Sequence, residues 1–158
     1  MTTIPVTPLA ATPEAIAPYG TLVLPGADGT PFGPQDATLD LTQGRTRLTI
    51  MRLPHRPLLI RGITRHLRVT QCLASADGAA WFIGLARADA PLTADAIACF
   101  RIPGGTALAL HRGTWHAGPF FNATQQDFFN LELSDTNETD HDTVRIDETF
   151  GVALAIAA

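Results

Sequence analysis

The chain has 158 residues, enough for one domain (1–158) with a sizeable core. Charged residues are only 16% of it, the net charge is −4 and there is no basic block, which excludes a disordered chain and argues against nucleic acid as a partner. All 11 basic residues are arginine, so lysine Schiff-base and general-base chemistry is excluded. Any bound anion must be met by arginine, a helix end or backbone N–H groups.

The opening residues, Met1 to Pro8, hold no basic stretch followed by an apolar one, and no apolar run is long enough for a membrane-spanning helix. A cytoplasmic protein with no membrane partner is expected. Cys72 and Cys99 lie in apolar runs without CxxC spacing and read as buried, reduced thiols.

In chain order, Ile4 to Leu9 reads as a short edge strand interrupted by Pro5 and Pro8. Thr12-Pro13-Glu14 predicts a helix start, with a threonine cap, a proline in the first turn and an acid near the N-terminus. Pro18-Tyr19-Gly20 ends that helix, Thr21 to Leu24 is a brief strand, and Pro25 to Pro34 is a loop. Short segments rich in Leu, Ile and Thr follow at Ala37–Leu41, Arg45–Arg52, Pro57–Ile63 and Arg65–Ala74. Arg45–Arg52 alternates polar and apolar residues as a half-buried strand does. Asp77-Gly78 signals a hairpin turn.

Trp81–Ala86 predicts a fully apolar strand, and Ile97–Ile102 and Thr106–His111 two more around a turn at Pro103-Gly104-Gly105. Asp127–Leu133 and Val144–Ile146 are strand-like, and Ser134–Thr143 reads as an acidic polar loop. The apolar tail Phe150–Ala158 is either a last strand or a segment that docks on a partner. About ten short strands punctuated by Gly, Pro and Asp-Gly describe a mainly β sandwich or small barrel with one short N-terminal helix.

Gly105 to Phe120 concentrates the chemistry. It carries His111 and His116, two of the five histidines, with Gly113 between them. The pattern predicts a strand ending at His111, a tight turn at Gly113 and a second strand starting near His116. Two imidazoles placed this way across a turn can face one cavity. A lone histidine is ordinarily a surface or core residue; several that map to one corner of a barrel more often share a pocket.

Two windows resemble the motifs of the cupins, which implies a double-stranded β-helix, or jelly-roll barrel. Gly105, His111, Gly113, His116 and Phe120 follow the spacing of the second cupin motif, with His116 at its metal-ligand histidine, His111 in place of the usual proline and Phe120 in place of the usual asparagine. His66, Gln71 and Gly78 resemble the end of the first motif, with Thr64 where the first histidine would stand and Gln71 where the glutamate would stand. An amide oxygen is a weak ligand for a divalent ion, so no cofactor is firmly implied. If a divalent metal is bound, His66, Gln71 and His116 are the expected ligands.

The chain further resembles the ureidoglycolate lyase (ureidoglycolate hydrolase) family. Pro18-Tyr19-Gly20, Arg65-His66 with Thr70-Gln71, His111 with Trp115-His116, Pro119-Phe120 and Asp127-Phe128 are similar to that family's motifs. It departs from them at Cys72–Ser75, which lacks a proline, at Leu110, where tyrosine is frequent, and at Met51, where asparagine often precedes the arginine. The resemblance implies a carbon–nitrogen lyase that splits ureidoglycolate, a small carboxylate, into glyoxylate and urea, and a homodimer. His66, His116 and His111 are the expected acid–base candidates, because histidine titrates near neutrality. Gln71 is expected to orient the substrate, and Arg52, Arg65 or Arg112 to fork onto its carboxylate. Two alternatives come from other classes: a metal-dependent cupin enzyme, and a non-catalytic cupin that binds a small carboxylate.

Overall fold

A computed structural model describes every residue from Met1 to Ala158. It is mainly β. The strands in chain order are β1 (Thr2–Val6), β2 (Leu9–Ala10), β3 (Gly20–Val23), β4 (Thr46–Pro54), β5 (Leu59–Ile60), β6 (Gly62–Arg65), β7 (Cys72–Ser75), β8 (Trp81–Ala86), β9 (Ala98–Ile102), β10 (Ala107–Leu110), β11 (Trp115–Phe120), β12 (Gln125–Leu133), β13 (Asp142–Arg145) and β14 (Val152–Ile156). Three single-turn α-helices, α1 (Pro13–Ile16), α2 (Thr136–Thr139) and α3 (Ile146–Thr149), and a 3-10 turn at Ala94–Ala96 join them. No helix is long and apolar enough to cross a membrane.

The strands form three sheets, ordered β3-β10-β7-β12-β4, β13-β6-β11-β8-β9-β2 and β1-β14-β5. The six-stranded sheet is the middle layer. Its strand β8 is buried at every position because alternate residues meet different layers. Trp81, Ile83 and Leu85 pack with Leu22, Leu73, Leu108 and Phe128 of the five-stranded sheet. Phe82 and Ala86 point the other way and pack with Ile60, Leu154 and Ile156 of the three-stranded sheet. Gly84 completes that face; a Cβ there would lie 2.7 Å from Ile60 Cδ1, so glycine permits the close approach of the two sheets.

The outer face of the five-stranded sheet is open. Strand β4 pairs only with β12 and alternates exposed and half-buried residues along its whole length. Its Leu48 and Ile50 are 65% and 60% exposed, and Phe129 of β12, opposite Ile50, is 42% exposed.

Several expectations need correction. Ala37–Leu41 is irregular, and of Arg65–Ala74 only Arg65 and the residues from Cys72 onward are in strands. Pro57–Ile63 is broken at Arg61 into β5 and β6, which lie in different sheets. Asp77-Gly78 makes the expected turn, with Gly78 at φ 75°, but it carries the chain from one sheet to another instead of closing a hairpin. Ser134–Thr143 contains the helical turn α2 and the first residues of β13. The tail takes the first of its two expected forms, a last strand: β14 lies between β1 and β5. The helix start follows the sequence: Thr12 Oγ1 accepts the Ala15 N–H at 3.1 Å, with Pro13 in the first turn.

Candidate functional site

The register of the middle sheet assembles the site. Thr64 of β6 lies opposite His116 of β11 on one side and opposite Thr143 of β13 on the other. Cross-strand partners share a face, and so do residues two apart along a strand. The β6–β13 register, continued by two residues, therefore sets His66 opposite His141 beside His116. The His66 and His116 ring centroids are 5.0 Å apart, and those of His66 and His141 5.7 Å.

The facing sheet supplies the other wall. On β12, Phe128 belongs to the apolar core, and Asn130 and Glu132 continue the same face beyond it. They line a cavity of about 240 Å³ together with Gln71, Met51, Leu53, His66, His116 and His141. That cavity adjoins a cleft of about 630 Å³, and the two share Arg56, His116, Gly118 and His141.

Each imidazole is held differently. His66 Nδ1 lies 2.6 Å from the backbone oxygen of Asp140. A carbonyl can only accept, so the neutral ring carries its proton on Nδ1 and keeps a lone pair on Nε2. His116 is 9% exposed, and its Nδ1 is buried without a partner. Burial first, then the neighbouring His66, push its pKa down to about 3 against the opposing effect of the Thr114 backbone, so the ring is neutral at ordinary pH. His141 is exposed, with Nδ1 3.3 Å from Thr143 Oγ1.

Gln71 sits beside the pair, 7% exposed. Its Nε2 donates to Asn130 Oδ1 at 2.9 Å, and its Oε1 is buried with no partner. Asn130 Nδ2 donates in turn to Glu132 Oε1 at 2.7 Å, and that oxygen also accepts from Arg47 Nη2 at 2.9 Å.

The structure brings His66, Gln71 and His116 together and leaves His111 out. Gly113, at φ 83°, makes the expected turn, but β10 and β11 belong to different sheets. The turn is a corner between layers, so its two histidines part. His111 is exposed, and its Nε2 lies 3.2 Å from the backbone oxygen of Ala17. With His66, Gln71 and His116 it shares only a crevice that has no room for a water molecule.

The three expected arginines are engaged elsewhere. Arg52 forks onto Asp127 on the outer face at 3.1 and 3.0 Å. Arg65 pairs with Asp142 at 2.8 Å and lies over the Trp115 ring. Arg112 bonds Asp40 at 2.8 Å and the Leu67 carbonyl at 2.7 Å. The arginine at the cavity is Arg56, whose Nη2 donates to the Pro119 carbonyl at 2.9 Å while its Cζ lies 4.8 Å above the Phe120 ring.

Arg56, Asn130, Glu132, Asp140 and His141 escape a reading by sequence alone. Their one signal is chemical: Asn130 and Glu132 alternate with apolar neighbours at positions that a plain strand would fill with hydrophobes. Asp140 is the least conspicuous and the most connected. Its carboxylate accepts the Leu67 and Arg68 N–H groups at 2.7 and 2.8 Å, while its backbone oxygen orients His66.

Both thiols lie off the cavity, and burial pushes each up to about 11, so neither is an activated nucleophile. No three His, Cys, Asp or Glu side chains converge as a metal-binding group, and the one carboxylate on the cavity wall, Glu132, is already engaged with Arg47 and Asn130. The cavity wall offers an imidazole whose Nδ1 is turned to the Asp140 carbonyl, a second imidazole held uncharged, an unpaired amide oxygen and one guanidinium. That set suits proton transfer on a small anionic molecule. No protein-family model matches the chain, and no curated protein matches it.

Proposed function

We propose that the chain is a carbon–nitrogen lyase of the ureidoglycolate type, built on the cupin jelly-roll barrel. The fold part is supported by two large sheets facing each other across one apolar core, with turns at Asp77-Gly78 and Gly113 that pass from sheet to sheet. The functional part rests above all on one observation. His66 and His116 stand with their rings 5.0 Å apart in a cavity wall, one oriented as a base and the other kept neutral.

Ureidoglycolate carries a hydroxyl, a carboxylate and a ureido nitrogen on one carbon. In this reading His66 Nε2 takes the hydroxyl proton. The oxygen's electron pair forms the aldehyde C=O of glyoxylate, and the electron pair of the C–N bond leaves with the urea nitrogen. The His66 imidazolium then returns its proton to that nitrogen, so the net transfer is one proton from oxygen to nitrogen. His116, uncharged, donates an N–H to the ureido oxygen, where charge builds as the bond breaks. Gln71 Oε1 accepts a ureido N–H, and Arg56 holds the carboxylate. His111, Arg52, Arg65 and Arg112 have no part in the step. The same reading carries a homodimer, with the apolar outer face around Leu48, Ile50 and Phe129 as the surface for a second copy.

The test is product analysis with purified protein and racemic ureidoglycolate. Equal amounts of glyoxylate and urea above the spontaneous rate, unchanged by EDTA, are expected. Release abolished by EDTA would point instead to a metal-dependent cupin. Thermal stabilisation by the substrate without release would point to a carboxylate-binding protein.

A further inference from the structure

Four side chains run from the surface to the cavity: Arg47, Glu132, Asn130 and Gln71. Arg47 and Glu132 are register partners on β4 and β12, and Asn130 is two residues from Glu132 on the same face. Glu132 is 1% exposed, and its Oε1 accepts from Arg47 Nη2 at 2.9 Å, the geometry of a carboxylate–guanidinium pair. A carboxylate accepts and does not donate. Asn130 must therefore turn its NH2 toward Glu132, which leaves its Oδ1 to face Gln71. Gln71 must then donate its NH2 to Asn130, which leaves Oε1 as the free end. The observed distances, 2.7 Å and 2.9 Å, match this order, and Oε1 is the atom left buried and unpartnered. Either amide taken alone could sit flipped; the buried charge at one end removes the choice at both.

We propose that Glu132 is a specificity-determining residue: acting through Asn130, it fixes Gln71 with its carbonyl oxygen unpaired and buried beside the cavity that Gln71 lines, so that the site selects ligands whose buried head carries N–H donors and rejects isosteres that offer only acceptors. This deepens the lyase reading, on which it rests for the site and the carboxylate end of the ligand. The class selected is a short carboxylate bearing a ureido or primary amide group. A donor-poor head group would face an unsatisfied buried oxygen, and leaving such an oxygen unpaired costs about tenfold or more in affinity.

The test is calorimetric titration of the full chain with three unreactive probes: hydantoate, succinamate and monomethyl succinate. Succinamate and the ester share a skeleton and a charge, and differ in presenting NH2 or an ether oxygen at the head. The wild type should bind hydantoate and succinamate at least about tenfold tighter than the ester. In Glu132→Gln the amide can either accept from Asn130, as the carboxylate does, or donate to its Oδ1, so the order is no longer imposed and Gln71 can present Nε2 as well as Oε1. The succinamate-to-ester ratio should then fall to about one or invert, a change that mere loosening of the structure would not produce. Should Glu132→Gln fail to fold, Gln71→Met serves: it removes the acceptor and should erase the preference while both carboxylates still bind.

An unchanged ratio in folded Glu132→Gln or in Gln71→Met overturns the inference, as does equal binding of amide and ester by the wild type. Binding of none of the three overturns it together with the lyase reading. The two can also fail apart. A donor preference that Glu132 controls, in a protein that does not cleave ureidoglycolate, keeps the relay and removes the lyase. Cleavage with no donor preference does the reverse.

Discussion

The Asp140 backbone oxygen sits 2.6 Å from His66 Nδ1, while the Asp140 carboxylate takes the N–H groups of Leu67 and Arg68. One buried residue therefore holds both the ring and the backbone that follows it. Asp140→Ala removes two charge-assisted, part-buried bonds from the Leu67 and Arg68 N–H groups. The expected cost is about 2–4 kcal/mol of stability, read by chemical denaturation. It should also lower kcat more than it raises KM, because the ring loses its orientation and not its partner in binding. Asp140→Asn keeps one acceptor and should recover part of both losses.

The histidines should separate cleanly by mutation. His66→Ala and His116→Ala should each lower kcat/KM for ureidoglycolate by roughly 100-fold or more, the ordinary scale for removing a positioned proton-transfer or hydrogen-bonding group. His111→Ala should leave kcat/KM within about twofold, since its exposed ring bonds the Ala17 carbonyl and does not line the cavity. Steady-state kinetics on the three purified variants decides the matter, and a large loss in His111→Ala would contradict the placement.

Carboxylate binding should depend on Arg56 alone among the arginines considered. Arg56→Met should raise KM by roughly 10- to 100-fold with a smaller effect on kcat. Arg52→Met and Arg112→Met break exposed pairs with Asp127 and Asp40 and should leave KM unchanged. Arg52 is the more instructive control, because it lies on the strand that also sends Met51 and Leu53 to the cavity.

The depressed pKa of His116 makes a pH prediction whose sign is fixed. In the unfolded chain the ring titrates at its ordinary value of 6.5, and in the fold at about 3. Between those values the unfolded state binds the extra proton, so stability rises with pH across the window and is lost as pH falls from about 6.5 toward 3. The slope attributable to this ring is at most about 1.4 kcal/mol per pH unit. His116→Gln should flatten that part of the curve. Urea denaturation at stepped pH reads both, and an identical slope in the variant would show that the ring is not held neutral by the fold.

What the sequence reveals and what it hides follow from the range of each interaction. Thr12, Pro13, the apolar run Trp81–Ala86 and the glycine at position 113 act through neighbours along the chain, and their roles are legible there. His66, Gln71 and His116 could be singled out because short motifs carry them. His141 and Arg56 could not, because His141 reaches the cavity through the β6–β13 pairing and Arg56 through a connection that meets Pro119 and Phe120, which no local pattern encodes. His111 misleads for the same reason: the turn at Gly113 looks like a hairpin, and only the sheet assignment of β10 and β11 shows that it is a corner. Glu132 lies in a strand-like segment, and only the β4–β12 register sets it opposite Arg47.

The most direct measurement is the initial rate of glyoxylate release from ureidoglycolate by wild type and His66→Ala, side by side, with the spontaneous rate subtracted and folding of both checked by circular dichroism. A wild-type rate well above background that falls by about two orders of magnitude or more in the variant is the expected result. Equal rates in the two proteins, or no rate above background in either, would contradict the claim that the His66–His116 pair cleaves a carbon–nitrogen bond.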